Sequence, residues 1–398
     1  MVGSSTAPAG GPLPKVGAQG TLLVVRYGEI GLKGHNRRYF FAKLRRNVRR
    51  CLREEGIPGT VWQEGQRIFV ETSWEEAALD ALRRVFGVVS VSPVRRVPAA
   101  LDDLEREAVS MARRAGLNAG SSFCVRARRG DKSFPLTSPE IGREVGAAVV
   151  DATGAQVRFD PTVDLEIAVE VRRDYALLSG QTLPGPGGMP VGSAGRVVAL
   201  LSTGIDSPVA IWLMMKRGCS VIPVHFATGV APAPQLGSLL AALQRYSHGW
   251  TLKPVILPHA DLLGPVLPRL RELHAQRWTC LVCKRLMLLK AAEVAREAGA
   301  SAIVTGDSLG QVASQTLASL EAVSAGIAKP ILRPLIGYDK TEIMAMARRI
   351  GTYDFSVEEG LGCQFLPTNP VTQGKVSQLH ELFDTLCPVA ETPVGGGC

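Results

Sequence analysis

The sequence predicts an α/β protein in which two small α+β domains precede a larger domain with a doubly wound parallel sheet. Its 398 residues are too many for a single hydrophobic core and suit two or three domains. Short strands and helices alternate in the first half. Apolar strands followed by helices recur in the second half, which is typical of a parallel sheet. Residues 184–192, rich in proline and glycine, predict the boundary before that sheet.

The charge of the chain favours a polyanionic partner. Lys and Arg number 45 against 36 Asp and Glu, so the net charge is +9. No apolar run approaches the roughly 20 residues of a membrane span. Residues 1–20 lack the apolar core of a signal peptide and predict a disordered tail. Because the eight cysteines are irregularly spaced, unlike a secreted disulfide framework, we expect a cytoplasmic protein without a membrane partner.

The first predicted domain has the element order of a ferredoxin-like fold. Strands are expected within residues 21–27, 61–70 and 88–94, and helices over residues 37–52 and 74–85. Apolar residues recur every four positions on the first helix, at Phe40, Leu44, Val48 and Leu52. Its basic residues include Arg37, Arg38 and Arg45. They predict either a contact with an RNA backbone or a solvated basic surface, and the sequence leaves both open.

The second predicted domain contains an arginine-lined strand. A helix is expected over residues 101–115, and residues 123–129 alternate apolar residues with Arg126 and Arg128, as a half-exposed strand does. A loop with Lys132 follows, and residues 137–140 (Thr-Ser-Pro-Glu) then open a helix with a capping-box pattern. Residues 164–178 return as strands and complete an α+β unit.

The third predicted domain begins with a strand, a tight loop, a helix and a second strand. The apolar run 197–201 predicts a strand buried on both faces, Pro208 suits the first turn of the helix, and Gly218 suits its end. A second apolar strand covers residues 221–226. In such a βαβ unit the loop directs backbone N–H groups and the helix dipole towards a ligand, an arrangement that suits a phosphate.

The loop itself, residues 202–207 (Ser-Thr-Gly-Ile-Asp-Ser), lacks both the lysine of a P-loop and the glycine pattern of a dinucleotide fold. It resembles the Ser-Gly-Gly-x-Asp-Ser loop of the ATP pyrophosphatases; an ordinary turn capped by Asp206 or Ser207 is the alternative. Thr203 replaces the second-position glycine of that loop. Either the loop accepts threonine at a negative φ, or nucleotide binding is impaired, because a β-branched residue disfavours a positive φ.

The remaining loops of the third domain are expected at the carboxyl edge of its sheet, where ligand sites form. Further strands are expected at residues 254–257, 301–305 and 331–335. Helices are expected at residues 239–246, 278–299, 306–316 and from 339 onward. Cys280 and Cys283 would lie one turn apart near a helix N-terminus, which should lower their pKa.

Several stretches together resemble one family, the tRNA 4-thiouridine synthetases. These stretches are residues 26–34, 131–140, 184–192, 202–207, 309–316 and 333–340, and the likeness spans about residues 22–375. The resemblance implies a ferredoxin-like domain at 21–79, a THUMP RNA-binding domain at 80–182, a linker at 183–195 and a pyrophosphatase-loop catalytic domain at 196–398. It also implies ATP-dependent replacement of the 4-oxygen of tRNA uridine-8 by sulfur, with sulfur transfer to a thiamine-pathway carrier in many members.

The resemblance assigns site residues one by one. ATP contacts are implied for Leu200, Leu201, Ser202, Gly204, Ser207, His225, Phe226, Lys284, Gly306 and Gln315. His225 is equally compatible with a hydrogen-bonded core histidine. Asp206 is expected to hold Mg²⁺ on the phosphates, and Lys340 to stabilise charge in the transition state. Implied tRNA contacts are Arg37, Arg38, Arg45, Arg126, Arg128 and Lys132.

Sulfur chemistry is assigned to three cysteines. Cys363 matches the family's acceptor cysteine, and Cys280 and Cys283 resemble the members without a rhodanese domain in which three cysteines hold an iron–sulfur cluster. Three alternatives stay open: a 4Fe-4S cluster, a persulfide on Cys363 with a redox-active Cys-x-x-Cys, and a structural metal such as zinc. Implied partners are tRNA, a sulfur donor (a cysteine desulfurase persulfide or sulfide) and a thiamine sulfur carrier; a homodimer is also considered.

Two other functions remain compatible with these residues. One is a tRNA-binding protein whose loop has lost catalysis through Thr203, and the other is sulfur transfer for thiamine synthesis alone. Strong tRNA affinity that falls steeply with salt argues against the second.

Overall fold

The computed structural model describes residues 20–229, 232–357, 363 and 365–386, and divides the chain into two compact units. The first unit contains residues 20–27, 51–83 and 88–185. The second contains residues 28–50, 84–87 and the described residues from 186 onward. The predicted N-terminal tail, apart from Gly20, lies outside the described residues.

The first unit is built on one mixed sheet. Its strands are β1 (Thr21–Tyr27), β2 (Thr60–Glu64), β3 (Arg67–Thr72), β4 (Val88–Pro98), β5 (Ser122–Arg129), β6 (Gln156–Val157), β7 (Leu165–Val171), β8 (Tyr175–Ser179) and β9 (Leu183–Pro184). The strand order among the described residues is β2-β3-β1-β4-β8-β7-β5-β6, with β9 beside β4. The antiparallel order β2-β3-β1-β4 confirms the ferredoxin-like prediction. Strand β4 joins the two halves, since Val94 and earlier residues pair with β1 and Arg95 onward pairs with β8.

The helices that belong to this part of the sequence follow their apolar patterns. They are α1 (Arg37–Glu54), α2 (Glu75–Leu82), α3 (Leu101–Arg114) and α4 (Ser138–Thr153). The predicted capping box at Thr137 and Glu140 opens α4. On α1 the buried set is Phe41, Leu44, Val48 and Leu52, so Phe41 rather than Phe40 continues the apolar face.

The second unit is built on a parallel sheet. Its strands are β10 (Arg196–Leu200), β11 (Ser220–Ala227), β12 (Val255–Pro258), β13 (Ala302–Val304) and β14 (Ile331–Leu332), in the order β12-β11-β10-β13-β14. Its helices are α5 (Asp206–Lys216), α6 (Pro234–Gln244), α7 (His259–Leu263), α8 (Leu267–Glu272), α9 (Thr279–Glu297), α10 (Leu317–Ser324), α11 (Lys340–Ile350), α12 (Tyr353–Val357) and α13 (Val376–Leu386). All its strand pairs are parallel, as predicted.

Helices cover both faces of this sheet, which confirms the doubly wound prediction. Successive β10 side chains enter different cores: Val197 and Ala199 pack in the cluster that contains Trp212 of α5, whereas Val198 packs with Leu281 of α9. Within the described residues, no helix combines the length and apolarity needed to cross a bilayer.

Two predicted helices of the second unit are wrong in their extent. Helix α6 begins at Pro234 instead of residue 239. Residues 306–316 form a loop with a short 3-10 turn at Ala313–Gln315, and α10 begins at Leu317. Here the Ser308 hydroxyl donates to the Tyr338 carbonyl (2.8 Å) and Gly310 adopts φ +75°. Side-chain hydrogen bonding and a left-handed glycine both compete with a helix.

Candidate functional site

The loop between β10 and α5 is closed by its own serines. The Ser207 hydroxyl accepts a hydrogen bond from the Ser202 backbone N–H (2.9 Å) and lies 3.2 Å from the Ser202 carbonyl, while the two hydroxyl oxygens are 3.0 Å apart. The Gly204 N–H donates to the Ser202 hydroxyl over 3.3 Å. Ser202 and Gly204 are exposed, whereas Ser207 is buried. The turn therefore leads into α5, whose N-terminus has no side-chain cap, as expected of a phosphate-binding loop.

Thr203 is accommodated without a left-handed backbone. His274 is the one non-glycine residue with a positive φ among the described residues, so Thr203 takes an ordinary φ. The backbone condition of the first alternative is therefore met, and the effect of Thr203 on nucleotide binding stays a prediction.

Gly306 approaches this loop closely from the end of β13. A Cβ on Gly306 would lie 2.9 Å from the Ser207 nitrogen and 3.1 Å from the Asp206 carbonyl carbon, distances that leave no room for a side chain. The φ of Gly306 is not positive, so close approach rather than backbone conformation requires glycine here.

An ion pair links the first turns of α5 and α11. The Lys340 Nζ donates to the Asp206 Oδ1 over 2.7 Å. Lys340 is the first residue of α11, whose capping box joins Asp339 and Glu342. The predicted Mg²⁺ ligand and the predicted transition-state cation thus meet, although their catalytic roles stay predictions.

A second charged cluster centres on Asp307, which follows Gly306. Its carboxylate accepts hydrogen bonds from Lys284 (2.6 Å), Thr305 (2.7 Å), Arg333 (3.3 Å) and Gln315 (3.4 Å). Burial alone would raise the pKa of Asp307, but the neighbouring Lys284 and Arg333 together with these hydrogen bonds lower it, so the carboxylate is ionised at neutral pH. The Gln315 Oε1 is buried and has no hydrogen-bond partner among the described residues.

The remaining predicted nucleotide contacts lie at the ends of β10 and β11. Leu200 and Phe226 are half-buried and Leu201 is buried. The His225 Nδ1 lies 2.8 Å from the Leu201 carbonyl oxygen, and the ring is buried. This contact fits the alternative of a hydrogen-bonded core histidine, and contact of His225 with a nucleotide stays a prediction.

Two of the three predicted sulfur-bearing cysteines, Cys280 and Cys283, lie near the N-terminus of α9. Cys280 and Cys283 are half-buried and Cys363 is exposed. The expected fall in pKa is wrong: burial raises the pKa of Cys280 and raises that of Cys283 to about 12, and the Cys363 charge adds to both effects. Desolvation of the thiolate outweighs the helix terminus.

A histidine that the sequence did not single out contacts this group. The His259 Nε2 lies 3.2 Å from the Cys283 Sγ, and His259 is the first residue of α7 after β12. Burial lowers the pKa of His259. Within the described ranges, no group of three or more His, Cys, Asp or Glu side chains is arranged to hold a metal ion.

The first unit contains a cavity of ≈ 1160 Å³ beside the arginine-lined strand β5. Its lining has five basic residues, Arg26, Arg67, Arg126, Arg128 and Arg143, against the acidic Asp151, Glu166 and Glu170. Arg126 is paired with Glu166 over 2.7 Å, and the exposed ring of Phe159 lies at the margin. A basic cavity with an exposed aromatic ring has the chemistry of a site for single-stranded nucleic acid.

The other predicted tRNA contacts lie elsewhere. Lys132 is exposed in the loop after β5 but does not line the cavity. Arg37 and Arg38 are exposed on α1 and Arg45 is half-buried, and all three belong to the second unit.

Sequence reasoning missed Asp307, Arg333 and His259. Arg333 lies within a stretch that carried the family resemblance and directly follows β14, and Asp307 lies three residues after β13. A search for charged residues at the carboxyl ends of parallel strands would have found them. His259 offered the same positional signal after β12.

Comparisons with family models match three successive regions. Residues 22–92 match the ThiI ferredoxin-like domain, residues 98–180 the THUMP domain and residues 192–386 the model described as thiamine biosynthesis protein (ThiI).

Individual relatives match nearly the whole chain. A probable tRNA sulfurtransferase from Thermococcus kodakarensis is 39% identical over 367 residues, covering 91% of this chain and 96% of the relative. Another, from Methanothermobacter thermautotrophicus, is 42% identical over 377 residues, covering 92% and 93%. Among solved structures, a 4-thiouridine synthetase–RNA complex with bound ATP is 32% identical, with a TM-score of 0.80 and coverage of 92% and 94%.

Proposed function

Because the chain belongs to the tRNA sulfurtransferase family, we propose that it activates tRNA uridine-8 with ATP and replaces the 4-oxygen of this uridine with sulfur. It is thus a transferase acting on tRNA uracil. The observation that carries this proposal is that α9 contains both a residue proposed for sulfur transfer and a residue proposed for nucleotide binding. Consecutive residues of this helix, Cys283 and Lys284, contact His259 and Asp307 respectively.

The proposed reaction has two steps. In the first, the uridine 4-oxygen attacks the α-phosphorus of ATP, an O–P bond forms, and the bond to pyrophosphate breaks. In the second, a sulfur nucleophile adds to C4, and the C4–O bond breaks with release of AMP, which carries the original oxygen. Adenylation is needed because a carbonyl oxygen is a very poor leaving group, whereas AMP leaves readily.

The loop of residues 202–207 is the proposed pyrophosphate cradle. The Ser202 and Gly204 N–H groups are donated within the loop, so the pyrophosphate is proposed to lie at the N-terminus of α5, which has no side-chain cap and favours anions. Asp206 is the proposed Mg²⁺ ligand, since carboxylate oxygens suit this ion. Lys340, 2.7 Å from Asp206, is proposed to stabilise charge that develops on the phosphates. The buried Oε1 of Gln315 is proposed to accept from the nucleotide, in keeping with the ATP in the similar synthetase structure.

Sulfur is proposed to pass through Cys280, Cys283 and Cys363. The three soft thiols suit iron, and a 4Fe-4S cluster held by three thiolates would offer one iron to bind sulfide. The described side chains are not arranged to hold a metal, so the cluster rests on donor chemistry alone. In the persulfide alternative, the outer sulfur of Cys363 attacks C4. The Cys280 thiolate then attacks the Cys363 sulfur, which releases the thiolated base and leaves a disulfide for an external thiol to reduce.

The tRNA is proposed to contact the basic cavity through Arg126 and Arg128, with Lys132 beside it. Arg37, Arg38 and Arg45 are proposed to contact the tRNA backbone independently.

The proposed domain limits are 21–79, 80–182 and 196–398, and the proposed location is the cytoplasm. The proposed sulfur donor is a persulfide or sulfide. The family model described as a thiamine biosynthesis protein favours a second candidate function, sulfur transfer to a thiamine-pathway carrier.

One experiment tests the main proposal. The full chain is purified without oxygen, its iron and labile sulfide are measured, and it is incubated with unmodified tRNA, ATP and sulfide. We expect pyrophosphate release and 4-thiouridine in the digested tRNA by mass spectrometry. Asp206→Asn should abolish both pyrophosphate release and 4-thiouridine formation. The matched control is Asp339→Asn, at the N-cap of α11, which should retain both. No tRNA-dependent pyrophosphate release from the wild type would contradict the proposal, and active protein free of iron would remove the cluster.

A further inference from the structure

One buried carboxylate next to the phosphate loop holds two cations. The Asp307 Oδ1 accepts from the Lys284 Nζ over 2.6 Å, and its Oδ2 lies 3.3 Å from the Arg333 Nε. The three side chains are only 6%, 16% and 17% exposed, respectively. One negative charge against two positive charges leaves an excess of +1 in a largely desolvated place. An unbalanced buried charge is costly, and a bound anion removes that cost.

This excess charge adjoins the loop that is proposed to bind pyrophosphate. Asp307 directly follows Gly306, whose backbone packs against Ser207 so closely that a Cβ would lie 2.9 Å from the Ser207 nitrogen. The cluster and the loop therefore share one edge of the sheet.

Both cations are held rigidly. The Asp307 carboxylate is fixed by the Thr305 hydroxyl (2.7 Å), and the Arg333 Nη2 donates to the Ser324 hydroxyl (2.7 Å). With its Nε on Asp307 and one Nη on Ser324, the guanidinium plane has a defined orientation. A fixed guanidinium is well suited to bind phosphate oxygens.

We propose that Arg333 is a second triphosphate-binding cation beside Lys284, and that Asp307 is the positioning residue that sets the orientation of both. This inference rests on the proposed function, because it takes the anion to be the phosphates of ATP. It adds Arg333 to the predicted nucleotide contacts and gives the Asp307 carboxylate a role other than binding Mg²⁺.

The direction in which one substitution changes ATP affinity distinguishes a positioning role of Asp307 from a purely electrostatic one. Asp307→Asn removes a negative charge next to a phosphate site, so charge alone predicts tighter binding of ATP. If Asp307 instead positions Lys284 and Arg333, asparagine keeps an acceptor for one of them and turns an NH2 group towards the other, so that this cation loses its orientation and ATP binds more weakly. We expect weaker binding, by about 10-fold, because a charge-assisted hydrogen bond is lost.

The test is equilibrium binding of ATP and of inorganic pyrophosphate to the full chain by titration calorimetry, without tRNA. We expect Arg333→Gln to weaken ATP binding by about 10- to 100-fold, the usual effect of losing a hydrogen bond from a charged group. Pyrophosphate binding should weaken similarly. Arg333→Lys keeps the positive charge but lacks the paired N–H donors of the guanidinium, so it should recover part of the lost ATP affinity. Lys284→Met should also weaken ATP binding, and Lys290→Met, on the same helix and paired with Glu293, is its matched control.

The outcomes are distinguishable. A wild-type chain that binds neither ligand contradicts the proposed function itself. Wild-type binding that Arg333→Gln leaves unchanged overturns only the inference, as does ATP binding by Asp307→Asn that equals or exceeds the wild type. Thermal unfolding without nucleotide is measured for every variant. Should Asp307→Asn fail to fold, the comparison of Arg333→Gln with Arg333→Lys decides the matter.

Discussion

The imidazole Nε2 of His259 lies 3.2 Å from the Sγ of Cys283, and this contact links the residue after β12 to the N-terminal part of α9. The ring is 5% exposed, and its Nδ1 has no hydrogen-bond partner among the described residues. Because burial lowers the pKa of His259, the ring is neutral at pH 7 and has one N–H to donate. Among the described residues, the Cys283 sulfur is thus the one polar partner of this ring.

Loss of this contact should slow sulfur transfer. His259→Leu removes the ring nitrogen that contacts Cys283 and keeps much of the bulk, whereas His259→Gln retains a polar group. Since groups that orient a functional sulfur or metal ligand typically contribute 10-fold or more, we expect roughly a 10-fold slower formation of 4-thiouridine with His259→Leu and a smaller loss with His259→Gln. Mass spectrometry of digested tRNA, sampled over time, measures the rate of 4-thiouridine formation. Equal rates for His259→Leu and the wild type would show that the contact is only structural.

An ion pair at the far end of α5 should make stability depend on acid pH. The Glu29 carboxylate receives two hydrogen bonds of 2.8 Å from Arg217. The hydrogen bonding to Arg217 lowers the pKa of Glu29 from 4.5 to about 2. Since the folded-state pKa is the lower one, the contribution is complete above pH 4.5 and disappears as the pH falls towards 2.

The measurement compares urea unfolding midpoints of the wild type and Glu29→Gln from pH 2 to 7. We expect the wild type to be more stable at pH 7, by no more than about 1 kcal/mol because the pair is partly exposed. The difference should shrink below pH 4.5. Arg217→Gln should reproduce most of the pattern, since Lys33 also lies 3.4 Å from the Glu29 carboxylate, and should add nothing to Glu29→Gln. A difference that persists at pH 2 would point to another cause.

The basic cavity of the first unit should contribute to the salt dependence of tRNA binding. Arg128→Gln is expected to raise the Kd for tRNA and to reduce the slope of log Kd against log salt by about 1, as loss of one phosphate contact does. Arg126→Gln should have a smaller effect, because Glu166 already neutralises part of its charge. Arg106→Gln, on the exposed face of α3 and paired with Asp103, is the control. Equal effects at Arg106 and Arg128 would indicate a diffuse electrostatic attraction.

Local sequence predicted this protein well where local interactions decide the structure. Strand β1 has the predicted bounds, and the loop at residues 202–207 is closed by Ser202 and Ser207, five residues apart. Contacts between distant residues were not predictable in this way. Asp307 gains its role from Lys284 and Arg333, which are 23 and 26 positions away, and 24 residues separate His259 from Cys283.

The same reasoning explains the missed loop at 306–316. Its helix-like spacing of apolar residues is overridden by a hydrogen bond from the Leu309 N–H to the Ile336 carbonyl and by the bond from Ser308 to Tyr338. Long-range pairing therefore decides the backbone here, and local propensity does not.

Gly306 should be intolerant of even one added methyl group. Gly306→Ala would place a Cβ 2.9 Å from the Ser207 nitrogen and 3.0 Å from its Cα, so the loop or β13 must shift. We expect a loss of about 1–3 kcal/mol of stability, the usual cost of overpacking, together with weaker ATP binding. Gly237→Ala, inside α6 with no atom within 4 Å of the added Cβ, should instead be neutral or stabilise by up to about 1 kcal/mol. Similar unfolding midpoints for the two variants would contradict the close approach.

Thr203→Gly should not improve nucleotide binding. Thr203 already adopts an ordinary φ, so no strain is relieved by the glycine that the related loops have at this position. Glycine also enlarges the conformational freedom of the unfolded chain, so we expect a small loss of stability, of about 0.4–1 kcal/mol. Titration calorimetry with ATP, on wild type and variant under the same Mg²⁺ concentration, measures the effect. Absence of binding in the wild type with recovery in Thr203→Gly would identify a loop impaired by its threonine and would favour a tRNA-binding protein without catalysis.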